Sequence, residues 1–405
     1  MWNSILKTEE DIIQINHLLE KIYEYIHNSK LIFPLGAMGG YAGTLLFLLY
    51  MHKYSNKEKY LIELQDRIRF LCSNLGYVKI DSFCNGYAGI CWLLRYLHAE
   101  GTFECEDIDK LLSDVDKHIY EGLNLSINNN DFLHGALGMA YYFTYYNTPY
   151  SKDAISAYIN ALDRSKILEN DGCIKWISDA YAKNQKIASV YNLGMAHGMA
   201  SLIYYLSLCL EKNIEREKTY FMLNGLIKYY MNNTNPNNFS SVYSFWLMPS
   251  KKEYTETRLA WCYGDPGVAS SLFRAGSIIK DKSIIDFSLN IFDRTLKRFD
   301  KKENYVAEAA ICHGSAGLSI IYNTIFQKTR IERYKNAALF WTRDIVKKSE
   351  EKGMYAGYVL HDAILENEEE NSTILSLING LSGIGLSMLS SISDDYPSWK
   401  KFFMI

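Results

Sequence analysis

Cysteines, histidines and a carboxylate recur at matching places along this sequence. Cys262 lies in LAWCYGDPG, the adjacent pair Cys312 and His313 in AICHGSAGL, His197 in MAHGMAS, and Asp131 in DFLHGALG. Two thiolates and a neutral imidazole balance a dication, and such a three-ligand set is what zinc takes when its fourth position stays open. Soft sulfur donors argue against magnesium or calcium. The wide separation of Cys262 from Cys312 is not a zinc-finger spacing, so the set depends on a fold that brings the residues together. A Cys–His nucleophilic dyad is the rival reading of Cys312 and His313, although neighbours at a helix start point in different directions. His197 is a candidate proton donor or acceptor, with Asp131 to orient its ring. Arg258 can offset negative charge developing beside a metal. His134 falls in the same pattern and reads as structural.

An internal repeat supplies the elements that must position these groups. Seven copies of Gly-x-x-Gly followed by an apolar run have first glycines at Gly40, Gly86, Gly135, Gly198, Gly264, Gly314 and Gly380; only the fourth breaks the rule, with Ser201 at the second glycine position. Counted from the first glycine, Cys262 and Cys312 share position −2, and His134, His197, Tyr263 and His313 share position −1. If the copies are equivalent helix starts, these side chains emerge at one end of the array. Cys84 also holds position −2, but its copy is remote from the fifth and sixth, and it is left outside the metal set.

Each copy reads as the start of a helix apolar on nearly every side, hence buried. The segments between, such as KEKYLIELQDRIRFLCSNL, alternate apolar and charged positions as outer helices do. The predicted fold is all-α, an α/α toroid with seven inner and seven outer helices. Ring closure is preferred to an open solenoid because the terminal copies show no polar capping face. One domain over 1–405 is expected. The polar, turn-rich intervals 168–192 and 233–257 are expected as surface loops or a small inserted module, with Trp246 placed to help hold a substrate.

Composition sets outer bounds. A 405-residue chain with 48% hydrophobic residues can bury a large core, and a formal charge of −3 makes no case for nucleic acid. The N-terminus lacks the apolar core of a secretory signal, and no apolar stretch is long enough to span a bilayer. A cytoplasmic protein with its eight cysteines mostly reduced is expected. The acidic run at 366–373 lacks the paired spacing of a glycosidase or terpenoid cyclase mouth and reads as a solvated loop.

RLAWCYGDPG, CHGSAG, AHG and the seven glycine blocks together resemble the lanthionine synthetase C-like family, over essentially the whole chain. The resemblance implies one zinc ion on Cys262, Cys312 and His313, with His197 as acid/base, Asp131 as its partner, and Arg258 and Tyr263 as further active-site residues. The implied reaction adds cysteine thiols of a dehydrated, leader-bearing precursor peptide to dehydroalanine or dehydrobutyrine, forming lanthionine and methyllanthionine thioether rings. A separate dehydratase and a transporter are the implied partners, in an assembly peripheral to a membrane. The alternative within the family is a non-cyclising zinc protein that binds glutathione or another thiol.

Overall fold

The computed structural model describes residues 2–30, 32–182, 185–250, 253–351, 353–360 and 372–405. Of the acidic run, 366–371 lie outside the described residues. Two helix series alternate along the chain. The amphipathic series is α1 (Glu9–Asn28), α3 (Glu58–Asn74), α5 (Ile108–Leu125), α7 (Ser151–Ser165), α9 (Arg216–Asn232), α11 (Lys282–Thr295) and α13 (Glu332–Lys348). The apolar series is α2 (Gly43–Ser55), α4 (Tyr87–Ala99), α6 (Ala136–Tyr145), α8 (Met199–Glu211), α10 (Asp265–Ile279), α12 (Ser315–Thr329) and α14 (Leu381–Ile392). The seven repeats therefore do begin seven helices. In α14 every residue is buried, and in α8 all but Glu211. By contrast α1 buries the stripe Ile15, Leu18, Leu19, Ile22 and Ile26 and starts with a side-chain cap, Thr8 accepting from the Asp11 amide. No helix among the described residues is long and apolar enough to cross a membrane.

The chain divides into two compact units, residues 1–115 with 306–403, and residues 116–305 with 404–405. In the first, α14 packs against α2 and α12, which sets the last repeat against the first. The N-terminal segment is fastened there too: the Trp2 indole donates to Ser390 O at 3.0 Å, and the Ile5 amide to Ser391 O at 2.9 Å. In the second, α8 packs against α6, α9 and α10, and α10 against α11.

The two long intervals are not simple loops. Strands β1 (Ile167–Leu168) and β2 (Ile174–Lys175) pair, and β3 (Ser178–Ala182), β4 (Gln185–Asn192) and β5 (Trp246–Leu247) form an antiparallel sheet in the order β3-β4-β5. Because Asn192 pairs with Trp246, the end of 168–192 is joined to 233–257 immediately before the fourth repeat. These strands are too short, and set in too polar a context, for their alternation to stand out in the sequence.

The Gly-x-x-Gly pattern has a steric cause. Before each apolar helix the chain folds back on the first helical turn. A Cβ added at Gly267 would lie 2.1 Å from Trp261 O, and one at Gly317 would lie 2.0 Å from Ile311 O. The first glycine meets the carbonyl six residues upstream: a Cβ at Gly264 would be 2.6 Å from Arg258 O, and one at Gly314 would be 2.5 Å from Glu308 O. The same fold-back feeds the helix its hydrogen bonds, as Ser315 N donates to Glu308 O at 3.1 Å and Ala316 N to Ala309 O at 3.0 Å. First-turn amides of α12 are thus satisfied by backbone, and neither α10 nor α12 has a side-chain cap. At the exception, Ser201 is fully buried and donates to Gly198 O at 2.6 Å, with α8 starting in register.

One buried cation braces the loop ahead of each of these two helices. Arg298 bonds Asp265 Oδ2 at 3.1 Å, Asn304 Oδ1 at 2.7 Å and Thr257 O. Lys348 donates to Val306 O at 3.0 Å, Glu308 O at 2.8 Å and Ser315 Oγ at 2.8 Å, and pairs with Asp344 at 2.9 Å. Gly267→Ala should lower the unfolding free energy by about 1–3 kcal/mol in urea, through overpacking against a backbone carbonyl that cannot yield. Lys282→Ala, which breaks an exposed pair with Asp286, should change it by less than about 0.5 kcal/mol.

Candidate functional site

The fold-back loops are tied to one another through position −2. In the second unit, Met195 N and Ala196 N donate to Cys262 O at 2.7 and 3.3 Å, joining the fourth repeat to the fifth. The first unit repeats this: Met38 N donates to Cys84 O at 3.0 Å, Leu377 N to Met38 O at 3.0 Å, and Cys312 N to Ile378 O at 3.0 Å. Residues at or beside −2 are therefore linked by the main chain between the fourth and fifth repeats in one unit, and between the sixth, seventh, first and second in the other. The side chains at −2 and −1 then project from anchored backbone rather than from a mobile loop.

Cys262, at −2 ahead of α10, is buried; Cys312 and His313, ahead of α12, are half-buried. All eight cysteines are free thiols. The first of these residues belongs to the second unit and the other two to the first. The remaining predicted residues, Asp131, His197, Arg258, Tyr263 and Trp246, all belong to the second unit.

There Asp131 and His197 meet. His197 Nδ1 lies 2.7 Å from Asp131 Oδ2, and the other carboxylate oxygen accepts the His134 amide at 2.9 Å. An ionised carboxylate only accepts, so Nδ1 carries the proton and Nε2 is left to face a reactant. The imidazole stacks on His134 at 5.6 Å and 21°, and meets the Tyr263 ring tilted at 5.9 Å and 30°. Phe245 meets the far side of Tyr263 at 5.8 Å. Trp246 is half-buried on β5, its ring 6.1 Å from that of Phe245. Arg258 is half-buried, and among the described residues its guanidinium makes no hydrogen bond to Asp131, His197 or Tyr263.

Burial disfavours the charged form of His197, but the hydrogen bond and charge of Asp131, with a contribution from Cys262, outweigh it and raise the imidazole above the usual histidine value. Burial likewise pushes Asp131 up, and His197 and His134 more than reverse it, leaving the carboxyl below the usual range. Burial and the neighbouring His197 hold His134 down despite Asp131. The shifts thus separate the two histidines, with His197 the more basic of the pair.

The sequence did not point to Asn192. Buried at the end of β4, it donates from Nδ2 to the Tyr263 hydroxyl at 3.0 Å. The signal was present: Asn192 stands six residues before its repeat glycine, as Arg258 does before the next.

The lanthionine synthetase C-like protein model matches residues 32–404. Nisin biosynthesis protein NisC of Lactococcus lactis subsp. lactis is 24% identical over 304 residues, 69% of this chain and 71% of that protein. A solved structure of nisin cyclase superposes with a TM-score of 0.75 at 19% identity, covering 98% of each chain. This likeness shows the fold, the α/α toroid that the seven repeats predict.

The paired shifts give the Asp131–His197 contact a pH window. A raised histidine contributes stability that is complete below its unfolded value and is lost as pH rises through its folded one; a lowered carboxyl contributes stability lost as pH falls through its folded one. Asp131→Asn should remove both contributions and move the His197 ring titration, followed by proton NMR and assigned by its loss in His197→Ala, to a lower pH. An unmoved titration would show that Asp131 does not hold the imidazole.

Proposed function

The chain belongs to the lanthionine synthetase C-like family, and from that membership we propose that it is a zinc-dependent lanthipeptide cyclase. The observation that carries the reading is the −2 backbone link. It joins the fourth repeat to the fifth in one unit and the sixth, seventh, first and second in the other, and Cys262 and Cys312 hold position −2 of the consecutive fifth and sixth repeats. Cys262, Cys312 and His313 are the ligands in this proposal. Free thiols with a half-exposed histidine suit zinc, being soft donors on rigid backbone with access left for a fourth ligand. When bound there, zinc would lower the pKa of a substrate cysteine thiol so that thiolate predominates near neutrality.

The substrate is a precursor peptide whose serines or threonines have become dehydroalanine or dehydrobutyrine. Its thiolate adds to the β-carbon; the alkene electrons move to an enolate, and the α-carbon then takes a proton, so the ring forms without change of mass. His197 suits the last step, because Asp131 holds Nδ1 and favours the charged form of the ring, whose Nε2–H can donate. Tyr263, beside His197, donates a hydrogen bond to the developing enolate oxygen. Arg258 supplies a second positive group for that charge. Trp246 takes part in substrate binding through its contact with Phe245. A separate dehydratase supplies the substrate and a transporter takes the product, in a cytoplasmic setting at the edge of a membrane-bound assembly.

The test is zinc content together with loss of alkylatable thiol from a dehydrated, cysteine-containing precursor. The native protein should hold one zinc per chain and consume thiols. Cys262→Ala and Cys312→Ala should lose zinc, whereas His197→Ala should keep it and cyclise about 10²–10⁴-fold more slowly. Stoichiometric zinc without thiol consumption would instead identify a non-cyclising thiol-binding protein.

A further inference from the structure

Tyr263 is held by a partner whose polarity is fixed. Asn192 is 4% exposed, and its side-chain carbonyl accepts the Gly194 amide at 3.0 Å. That bond decides which end of the amide faces which way, because turning it over would set an NH₂ group against an N–H. The donor end therefore faces the Tyr263 hydroxyl, 3.0 Å away. The backbone cannot drift either. Asn192 pairs with Trp246 in the sheet, Leu193 N donates to Phe245 O at 3.1 Å, and the Tyr230 hydroxyl donates to Leu193 O at 2.9 Å. Gly194 completes the fit, since a Cβ there would lie 2.6 Å from the Tyr263 ring and 2.8 Å from Cys262 O.

We infer that Asn192 is a positioning residue that sets the direction of the Tyr263 proton: by donating to the phenol oxygen, it turns the hydroxyl hydrogen away from the sheet and toward the reacting peptide. A phenol that accepts one hydrogen bond donates a stronger second one, because chained hydrogen bonds polarise each other. An aspartate in this place would keep the shape and the Gly194 bond but accept where asparagine donates, and it would draw the phenol proton back to itself. The strands between the third and fourth repeats thus have a task in the reaction, namely to deliver one amide N–H to the active-site tyrosine. This inference rests on the cyclase reading for what the proton does, but not for the hydrogen bond itself.

The experiment has two arms. In the first, cyclisation rates are measured for Asn192→Asp, Tyr263→Phe and the double variant. Asn192→Asp should lower kcat about 10-fold or more, on the scale known for misdirected transition-state donors, with KM and zinc content unchanged. In the Tyr263→Phe background the same change should cost less than about twofold, since the two act as one unit. A native rate for Asn192→Asp, or effects that multiply in the double variant, would overturn the inference. In the second arm, tyrosines are labelled with ¹³C at Cζ, and the resonance absent from Tyr263→Phe marks Tyr263. It should move toward the phenolate position in Asn192→Asp, and an unmoved line would sink the proposal whatever the chemistry. If the native protein consumes no thiol, the cyclase reading fails while this second arm still decides the hydrogen bond. Should Asn192→Asp not fold, Asn192→Ala serves the same spectrum, with a shift expected from the lost donor and its absence counting against.

Discussion

A carbonyl oxygen pressed against a glycine is the contact on which the rest of this molecule depends. The chain before each apolar helix folds back so tightly that Trp261 O and Ile311 O occupy the space of a side chain at Gly267 and Gly317. The approach brings upstream carbonyls within reach of the first-turn amides, which ordinarily need a serine, threonine or aspartate cap. With backbone meeting that need, the residues just ahead of the helix are released from capping. Those are the places where histidine, tyrosine and cysteine stand. The glycine pair builds no site of its own; it makes the positions before it available and fixes where they point.

A fold-back loop rich in backbone polar groups and largely out of water needs bracing, and the bracing is ionic. Arg298 uses its planar fork to gather Asp265, Asn304 and a main-chain carbonyl, whereas Lys348 collects two carbonyls, a serine and a carboxylate around one ammonium. A buried pair of this kind seldom adds much stability over well-packed apolar residues, but losing one partner is costly because the other charge is stranded. The return is specificity of backbone placement. Each cation tethers residues six to eight positions ahead of the repeat glycine, Thr257 in one loop and Val306 and Glu308 in the other, with the cysteine a few residues further along.

The sequence displayed the helix starts because sterics allow little else there, and a glycine pair every 46 to 66 residues is hard to miss. Asp131 and His197 were legible for a related reason: a repeated frame converts sequence phase into spatial phase, and their 2.7 Å contact follows from it. What stayed hidden has equally physical causes. Arg298 and Lys348 stand in charged surroundings, KRFD and VKKSEE, where nothing marks one cation as buried. The sheet escaped notice because its strands run from two to eight residues and β5 lies far along the chain from β4. Asn192, an amide six residues before its glycine, carries no charge or nucleophile to mark it, although Arg258 shows that position −6 can hold a polar side chain.

Directionality unites the polar groups around His197. Asp131 only accepts, and it takes one bond from the His134 amide and one from His197 Nδ1, so the imidazole has a single orientation with Nε2 outward. Asn192 both accepts and donates, and because Gly194 claims its oxygen, only its N–H can meet Tyr263. In each case a backbone amide fixes a side chain, and that side chain fixes the polarity of the ring or hydroxyl beside it. Neither arrangement needs substrate to assemble it, so the cost of orienting these dipoles is met during folding rather than during reaction. The rings of His134, His197, Tyr263 and Phe245 meet in succession, stacked, tilted and edge-on, and what such contacts leave unset is rotation about the phenol C–O bond. Asn192 is the group placed to remove it.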